Sequence, residues 1–178
     1  MSLILALDQS TSATKAALFD NTGGLVDKAS LEHRQIYPQA GWVEHDAEEI
    51  WQNTLGAIGA LGARQADRFK DVAALSIANQ RETIVVFERA TGRPLHPALV
   101  WQDRRGAPLC QRLAAEGWEA AVRAKTGLRL DTYFSASKLQ WLLAERPELA
   151  WQLREGQALV GTMDAYLIHR LTGGRVFA

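Results

Sequence analysis

Four short polar clusters in this chain could carry chemistry, and the first three follow apolar runs. The first, Asp8 to Lys15, follows Leu3–Leu7. A tight turn there would point backbone N–H groups into an anion-binding concavity. Hydroxyls of Ser10, Thr11, Ser12 and Thr14 add donors, and Lys15 adds positive charge. Asp8 could hold a hydrated Mg²⁺ beside a phosphate. The same residues also read as a solvated polar turn in which Asp8 bonds its own loop.

The second cluster, Asn79-Gln80-Arg81-Glu82-Thr83, follows Val72–Ala78. Strand ends are where α/β sheets usually present ligand groups. Arg81 donates and Glu82 accepts, so the pair could read adjacent hydroxyls of a polyol. The alternative is a surface turn with a local ion pair, worth little. In the third cluster, Trp101 to Arg105, Trp101 could pack on a ligand's carbon skeleton while Asp103 accepts from a hydroxyl. From the residues alone the stronger reading is that Trp101 is core and Asp103 the cap of the next helix. The fourth, Asp131 to Lys138, places Tyr133 in a loop before a helix, as a ligand contact or as a core aromatic. The four histidines, His33, His45, His96 and His169, lack metal-ligand spacing. Cys110 reads as a small core residue, and Trp118, Trp141 and Trp151 as core or domain-face residues.

These clusters need elements to position them. Leu3–Leu7 and Lys15–Phe19 read as a hairpin, and the turn Asn21-Thr22-Gly23-Gly24 leads into a third strand, Leu25–Gln35. Asp46 reads as a helix N-cap, with Glu49 completing a capping box. Trp51, Leu55, Ile58 and Gly62 would form that helix's inward face. Val72–Ile77 reads as a buried strand. Thr83–Phe87 and Pro94–Val100 flank the turn Ala90-Thr91-Gly92 as a second hairpin. Arg104 to about Lys125 reads as helix, broken at Gly117. Ser135 or Ser137 would cap the next helix, with Leu139, Leu142 and Leu143 in its core face and Pro147 at its end. Ala158–Gly161 is a short strand and Thr162–Leu171 a last helix. After the turn at Gly173-Gly174, the residues to Ala178 read as a strand that has only begun, so a fragment is expected.

Length and composition bound the function. The chain's 178 residues can bury a proper core. Twenty basic residues balance twenty acidic ones, leaving no basic field for nucleic acid. No apolar run has the length of a membrane span. The N-terminus reads directly into a strand without a secretory signal, and a single cysteine fits a reducing cytoplasm. An α/β or α+β core follows from the element order.

Six segments in order, ALDQSTSATKAALFD, IYPQAGWVEHDAEEIW, IANQRET, VWQDRR, TGLRLDTYFSASKLQW and GTMDAYLIHRLTGG, resemble the N-terminal lobe of the FGGY carbohydrate kinase family. They span nearly all of residues 4–174, and GWVEHD and NQRET resemble its glycerol kinase branch. The resemblance implies an α/β lobe of the actin/ribonuclease-H-like (ASKHA) type, a mixed sheet flanked by helices. It implies that residues 1–178 are that lobe, incomplete at its C-terminal end, and that a second lobe closes with it over ATP and the acceptor. Asp8 would face Mg²⁺ through water, and Ser10, Thr11, Ser12 and Lys15 would approach the phosphates. Arg81, Glu82, Trp101 and Tyr133 would hold the polyol. The aspartate that accepts the hydroxyl proton would lie beyond Ala178. A homo-oligomer in the full-length form, with neither nucleic-acid partner nor membrane insertion, is also implied.

Three departures qualify the resemblance. Ser10 stands where the family usually has glycine, and serine disfavours positive φ. Lys15 stands where arginine is frequent, keeping the charge without bidentate reach. Asp103 belongs to a Trp-x-Asp-x-Arg pattern shared with xylulose kinases, and could read an extra hydroxyl on a longer substrate. The expected activity is transfer of the γ-phosphoryl of MgATP to glycerol. A longer polyol or a ketose such as xylulose is the alternative acceptor. A polyol-binding lobe without catalysis is the alternative class, and a ribonuclease-H-type nuclease ranks far behind because the charge is neutral.

Overall fold

Leu3, Leu5 and Leu7 alternate inward along β1 (Leu3–Gln9), the first strand of a computed structural model that describes residues 2–177. β1 pairs antiparallel with β2 (Ala13–Asp20), which pairs antiparallel with β3 (Leu25–Glu32). β4 (Glu44–His45) is a two-residue strand leading into the long helix α1 (Ala47–Arg64). A single turn of helix, α2 (Ala66–Phe69), returns the chain to β5 (Val72–Asn79), which lies parallel to β1. The first sheet therefore has the order β3-β2-β1-β5.

A second sheet packs beside it. β6 (Ile84–Glu88) and β7 (Ala98–Leu99) form the second hairpin, and the order is β4-β7-β6-β8, with β8 at Ala158–Thr162. The hairpin's return arm is irregular: it bridges at Pro94 and regains the ladder only at Ala98. Pro94 and Pro97 lack the N–H that a continuous ladder needs. β6 is buried on both faces. Val85 and Phe87 meet α1 and the last helix, α7 (Met163–Leu171), while Ile84 and Val86 meet Leu142 and Leu149.

Four more helices complete the chain: α3 (Ala107–Ala115), α4 (Glu119–Thr126), α5 (Ser135–Glu145) and α6 (Pro147–Arg154). Gly117, at φ +83°, separates α3 from α4, as the sequence predicts. Pro147 occupies the first position of α6, where its missing N–H costs nothing. Gly106 lets α3 begin against α5, because a Cβ there would lie 2.8 Å from the Cβ of Ser137.

Several expectations are corrected. The inward face of α1 is Ala47, Ile50, Thr54, Ala57 and Leu61, one position away from the predicted stripe, and Leu55 is 42% exposed. Small residues on that face let the helix approach the sheet closely. Asp46 caps α1 by accepting from the N–H groups of Glu48 and Glu49, but the Glu49 carboxylate turns to Arg34 instead of completing a capping box. Neither Ser135 nor Ser137 caps α5: the N-cap is Phe134. β5 is not buried, since it is the outer strand of its sheet and Leu75 is 42% exposed. Trp118 and Trp151 are half-exposed, whereas Trp141 packs edge-on against Trp42. Residues 175–177 form no strand, and Phe177 packs on Phe87. Ala178 lies outside the described residues.

Candidate functional site

The first polar cluster forms the β1–β2 turn. Ser10 closes it, with both its N–H and its hydroxyl donating to the Ala13 carbonyl at 2.9 Å. Among the described residues Glu82 alone, apart from glycines, has positive φ, so Ser10 is not in the left-handed conformation that glycine favours. Alternation along β2 turns Thr14 into the core beside Ala16 and Leu18, so its hydroxyl is not part of the turn's surface. Asp8 and Lys15 are register partners across the hairpin, and the Lys15 ammonium lies 3.0 Å from the Asp8 carboxylate. Both side chains are about half exposed. Ser12 is exposed, Thr11 half-buried.

The second and third clusters meet the turn from the other side. Trp101 Nε1 donates to the Thr11 hydroxyl at 2.9 Å, although the two residues are 90 positions apart. Behind this contact lies a buried circuit. His33 and Gln35 donate to the Thr11 carbonyl. His45 Nε2 lies 2.9 Å from Gln35 Oε1, and Gln80 Nε2 lies 3.2 Å from His45 Nδ1. Gln80 also donates to Gln9, accepts from Thr83, and the Thr83 hydroxyl accepts the Trp101 N–H. The circuit leaves Thr11 by its carbonyl and returns to its hydroxyl. His45 works in it as a neutral imidazole, one nitrogen donating and one accepting. Burial, with neighbouring His33 adding to it, holds His45 down to about 3, and burial also lowers His33.

Trp101 and Tyr133 form an aromatic wall. The Trp101 ring meets Tyr133 edge-on at 5.6 Å, and Tyr133 is 36% exposed. Glu82 holds φ +67°, a strained conformation for glutamate. Ser135 fixes it there: its hydroxyl donates to Glu82 Oε2 at 2.9 Å and its N–H donates to the same oxygen at 3.2 Å. Arg81 is exposed beside it. Trp101, Gln102, Arg104, Asp131, Thr132 and Tyr133 line a cleft of about 310 Å³.

Asp103 does not reach this cleft. It is fully buried, and its two oxygens accept from the N–H of Val43, the N–H of Arg105 and the Arg105 guanidinium. The Arg105 guanidinium also bonds Glu44 at 2.7 Å and lies between the rings of Trp42 and Trp141, 4.0 and 4.6 Å from their centroids. A carboxylate with all its acceptor sites taken inside the protein has none left for a substrate hydroxyl. Asp131 Oδ1 accepts the Tyr133 N–H and shapes the loop.

The structure thus brings together Thr11, Trp101 and Tyr133, holds Glu82 on Ser135, two residues after Tyr133, and keeps Asp103 buried on Val43 and Arg105, away from the cleft. Sequence reading missed Gln80 as the hub of the circuit, together with Ser135 and Lys138. Lys138 carried a signal: it lies one turn before Leu142 on the apolar stripe of α5, where a charge is out of place.

Known proteins compare as follows. Residues 3–178 match the N-terminal domain of the FGGY family of carbohydrate kinases. The chain is 50% identical over 175 residues to a glycerol kinase of Symbiobacterium thermophilum, covering 98% of this chain and 35% of that protein. It is 51% identical over 174 residues to a glycerol kinase of Trichlorobacter lovleyi, covering 98% and 35%. The chain thus spans about a third of the length of the curated relatives it matches. The crystal structure of Plasmodium falciparum glycerol kinase with ADP superposes with a TM-score of 0.91 at 36% identity, covering 97% of this chain and 34% of that one. A xylulose kinase of Lactobacillus acidophilus shares the fold, with a TM-score of 0.83 at 23% identity, over 96% of this chain and 33% of that one. The mixed β3-β2-β1-β5 sheet and its flanking helices are the expected actin/ribonuclease-H-like lobe, and the chain belongs to the FGGY family of carbohydrate kinases.

Proposed function

We propose that this chain is the N-terminal lobe of an ATP-dependent polyol kinase that transfers the γ-phosphoryl of MgATP to a terminal hydroxyl of glycerol, giving glycerol 3-phosphate. The observation that carries the reading is the Trp101–Thr11 hydrogen bond. It sets an apolar wall against a hydroxyl-lined turn, so an alcohol on the wall would lie beside a phosphate in the turn. Phosphoryl transfer depends on that positioning and on charge neutralisation more than on covalent chemistry by the protein.

The roles follow the geometry. Thr11 and Ser12 would offer donors to a phosphate and Lys15 its positive charge, while Ser10, whose N–H and hydroxyl both go to the Ala13 carbonyl, shapes the turn that presents them. Asp8 fits a nucleotide-bound Mg²⁺, because it is an exposed single carboxylate beside the turn and Mg²⁺ keeps most of its waters. When bound, the metal would neutralise phosphate charge. Trp101 and Tyr133 cover the carbon skeleton, while Arg81 and Glu82 read its hydroxyls. No residue of this lobe is assigned as the base. The curated relatives, of which this chain spans about a third, support placing the lobe within a longer enzyme, and that enzyme is proposed to be cytoplasmic and homo-oligomeric.

A longer polyol or ketose is the second reading. The cleft beyond Trp101 is lined by Gln102, Arg104 and Thr132, which could bond further hydroxyls. A coupled ADP-release assay of a kinase carrying this lobe, run with glycerol, erythritol and xylulose, tests both. Glycerol is expected to have the highest kcat/KM. A preference for xylulose would replace the first reading with the second, and polyol binding without ADP release would leave a binding lobe.

A further inference from the structure

Lys138 has no exposed surface, yet no carboxylate lies within ion-pair distance of it among the described residues. Its ammonium donates to three consecutive backbone carbonyls: Thr132 at 2.5 Å, Tyr133 at 2.8 Å and Phe134 at 3.3 Å. All three N–H bonds are thereby used. The loop curls around the ammonium as it would around a bound cation. Asp131 pins the same loop from the other side through the Tyr133 N–H at 2.8 Å. With its backbone held twice, Tyr133 turns its ring outward onto Trp101. One turn earlier on the same helix, Ser135 holds Glu82. The first turn of α5 therefore grips both sides of the wall.

We propose that Lys138 is a positioning residue for the acceptor site: its ammonium shapes the 131–134 loop so that Tyr133 stands against Trp101. The proposal rests on the polyol reading above. Burying an ammonium is unfavourable, and burial pushes Lys138 down to about 8; Asp103, Glu82, Asp131 and Cys110 face it and oppose that shift. A neutral amine has only two N–H groups, so one carbonyl loses its donor when the proton leaves.

The test pairs two readouts in Lys138→Met and Lys138→Arg. Nuclear Overhauser contacts between the Trp101 indole and the Tyr133 ring report the wall directly in this chain. KM values for glycerol and MgATP, measured in an active kinase carrying the lobe, report its use. In Lys138→Met the contacts should vanish and the glycerol KM rise about tenfold, the effect of one lost buried hydrogen bond, with the MgATP KM unchanged. Lys138→Arg should recover part of both. A merely structural role would lower stability and leave the split between the two KM values unmoved. Retained Trp101–Tyr133 contacts overturn the role of Lys138 alone. Lost contacts with an unchanged glycerol KM overturn the acceptor assignment beneath it, and this proposal with it. If Lys138→Met does not fold, the unmodified chain decides. Followed beside the Lys138 ε-CH2 chemical shift as pH rises, its contacts should weaken as the ammonium loses its proton, and contacts that survive that deprotonation refute the proposal.

Discussion

The β1–β2 turn and the Trp101–Tyr133 wall lie one hydrogen bond apart, and they are built by opposite means. The turn uses backbone, short hydroxyls and one half-exposed ion pair, Asp8–Lys15. Such a pair contributes little to stability, so an incoming phosphate and metal can replace it at small cost. The wall rests on buried charge: Asp103, Arg105 and Glu44 behind it, Lys138 under its loop, and Ser135 holding the strained Glu82. Under the proposed function, the difference matches the ligands each region would take. A phosphate brings a strong field that can organise mobile donors around itself. A neutral polyol brings none, so its site has to be set in advance.

The comparison breaks most readily at Asp103. Asp103→Ala would leave the Arg105 guanidinium buried between Trp42 and Trp141 with Glu44 as its one remaining carboxylate partner among the described residues. Removing one member of such a group costs about 3–5 kcal/mol. Urea unfolding should show that loss, whereas Asp8→Ala should leave the midpoint nearly unchanged. A loss below about 1 kcal/mol at Asp103 would put the two ion-pair sites in the same class and end the contrast.

Acid should separate the regions next. His45 is held to about 3 and His33 is also lowered, both by burial, against an ordinary value of 6.5. Between those values the unfolded chain takes up a proton that folded His45 refuses. Stability is therefore full above about pH 6.5 and falls as pH drops toward about 3. From pH 7 to pH 5 the loss should be about 2 kcal/mol for His45 alone, visible as a lower thermal midpoint. Ordinary carboxylates remain ionised at pH 5, so the drop reports the histidines. The circuit explains why a proton is unwelcome. Nδ1 already accepts from Gln80, and reversing that amide would break its bond with Thr83. An equal midpoint at the two pH values would mean that protonated His45 is accommodated and the circuit is loose.

Ser135→Ala sharpens the contrast at smaller scale. It removes the two bonds from the Ser135 hydroxyl to Glu82, to the carbonyl and to Oε2, and frees a residue strained at φ +67°. Glycerol affinity should fall about threefold to tenfold while stability stays nearly constant, because the released strain offsets lost bonds. Calorimetric titration beside urea unfolding checks both. Unchanged affinity would show that Glu82 keeps its place without Ser135.

How much of this was legible in the sequence depended on distance along the chain. The Asp46 cap, the break at Gly117, the end of α5 before Pro147 and the opening hairpin rest on neighbouring residues, and periodicity or turn chemistry revealed them, whereas α6 itself was not foreseen. Resemblance to a family grouped Arg81, Glu82, Trp101 and Tyr133 as one expected site, of which the Trp101–Tyr133 contact is seen. The Gln80 circuit was hidden because its members come from residues 9 to 101, and no local pattern marks a glutamine as a hub. Glu49 misled because a capping box and a bond to Arg34 demand the same residue type at the same place. The burial of β5 was overestimated because an apolar strand does not say whether a neighbour covers its edge. Asp103 was placed toward ligand since a short motif gives spacing without direction.

The smallest effect concerns Ser10, where the family's usual glycine suggests an easy gain. The geometry argues against it. Ser10 is outside the left-handed region, and its hydroxyl and N–H both donate to the Ala13 carbonyl. Glycine would lose the hydroxyl bond and enlarge the unfolded ensemble. Ser10→Gly should therefore lower stability by about 0.5–1 kcal/mol, with MgADP affinity little changed. Urea unfolding and nucleotide titration measure the two effects separately. A rise in stability would mean that the turn relaxes into a left-handed conformation which serine resists. The turn would then be strained as the wall is at Glu82, and its readiness for phosphate would come from stored strain instead of from an ion pair that is easily exchanged.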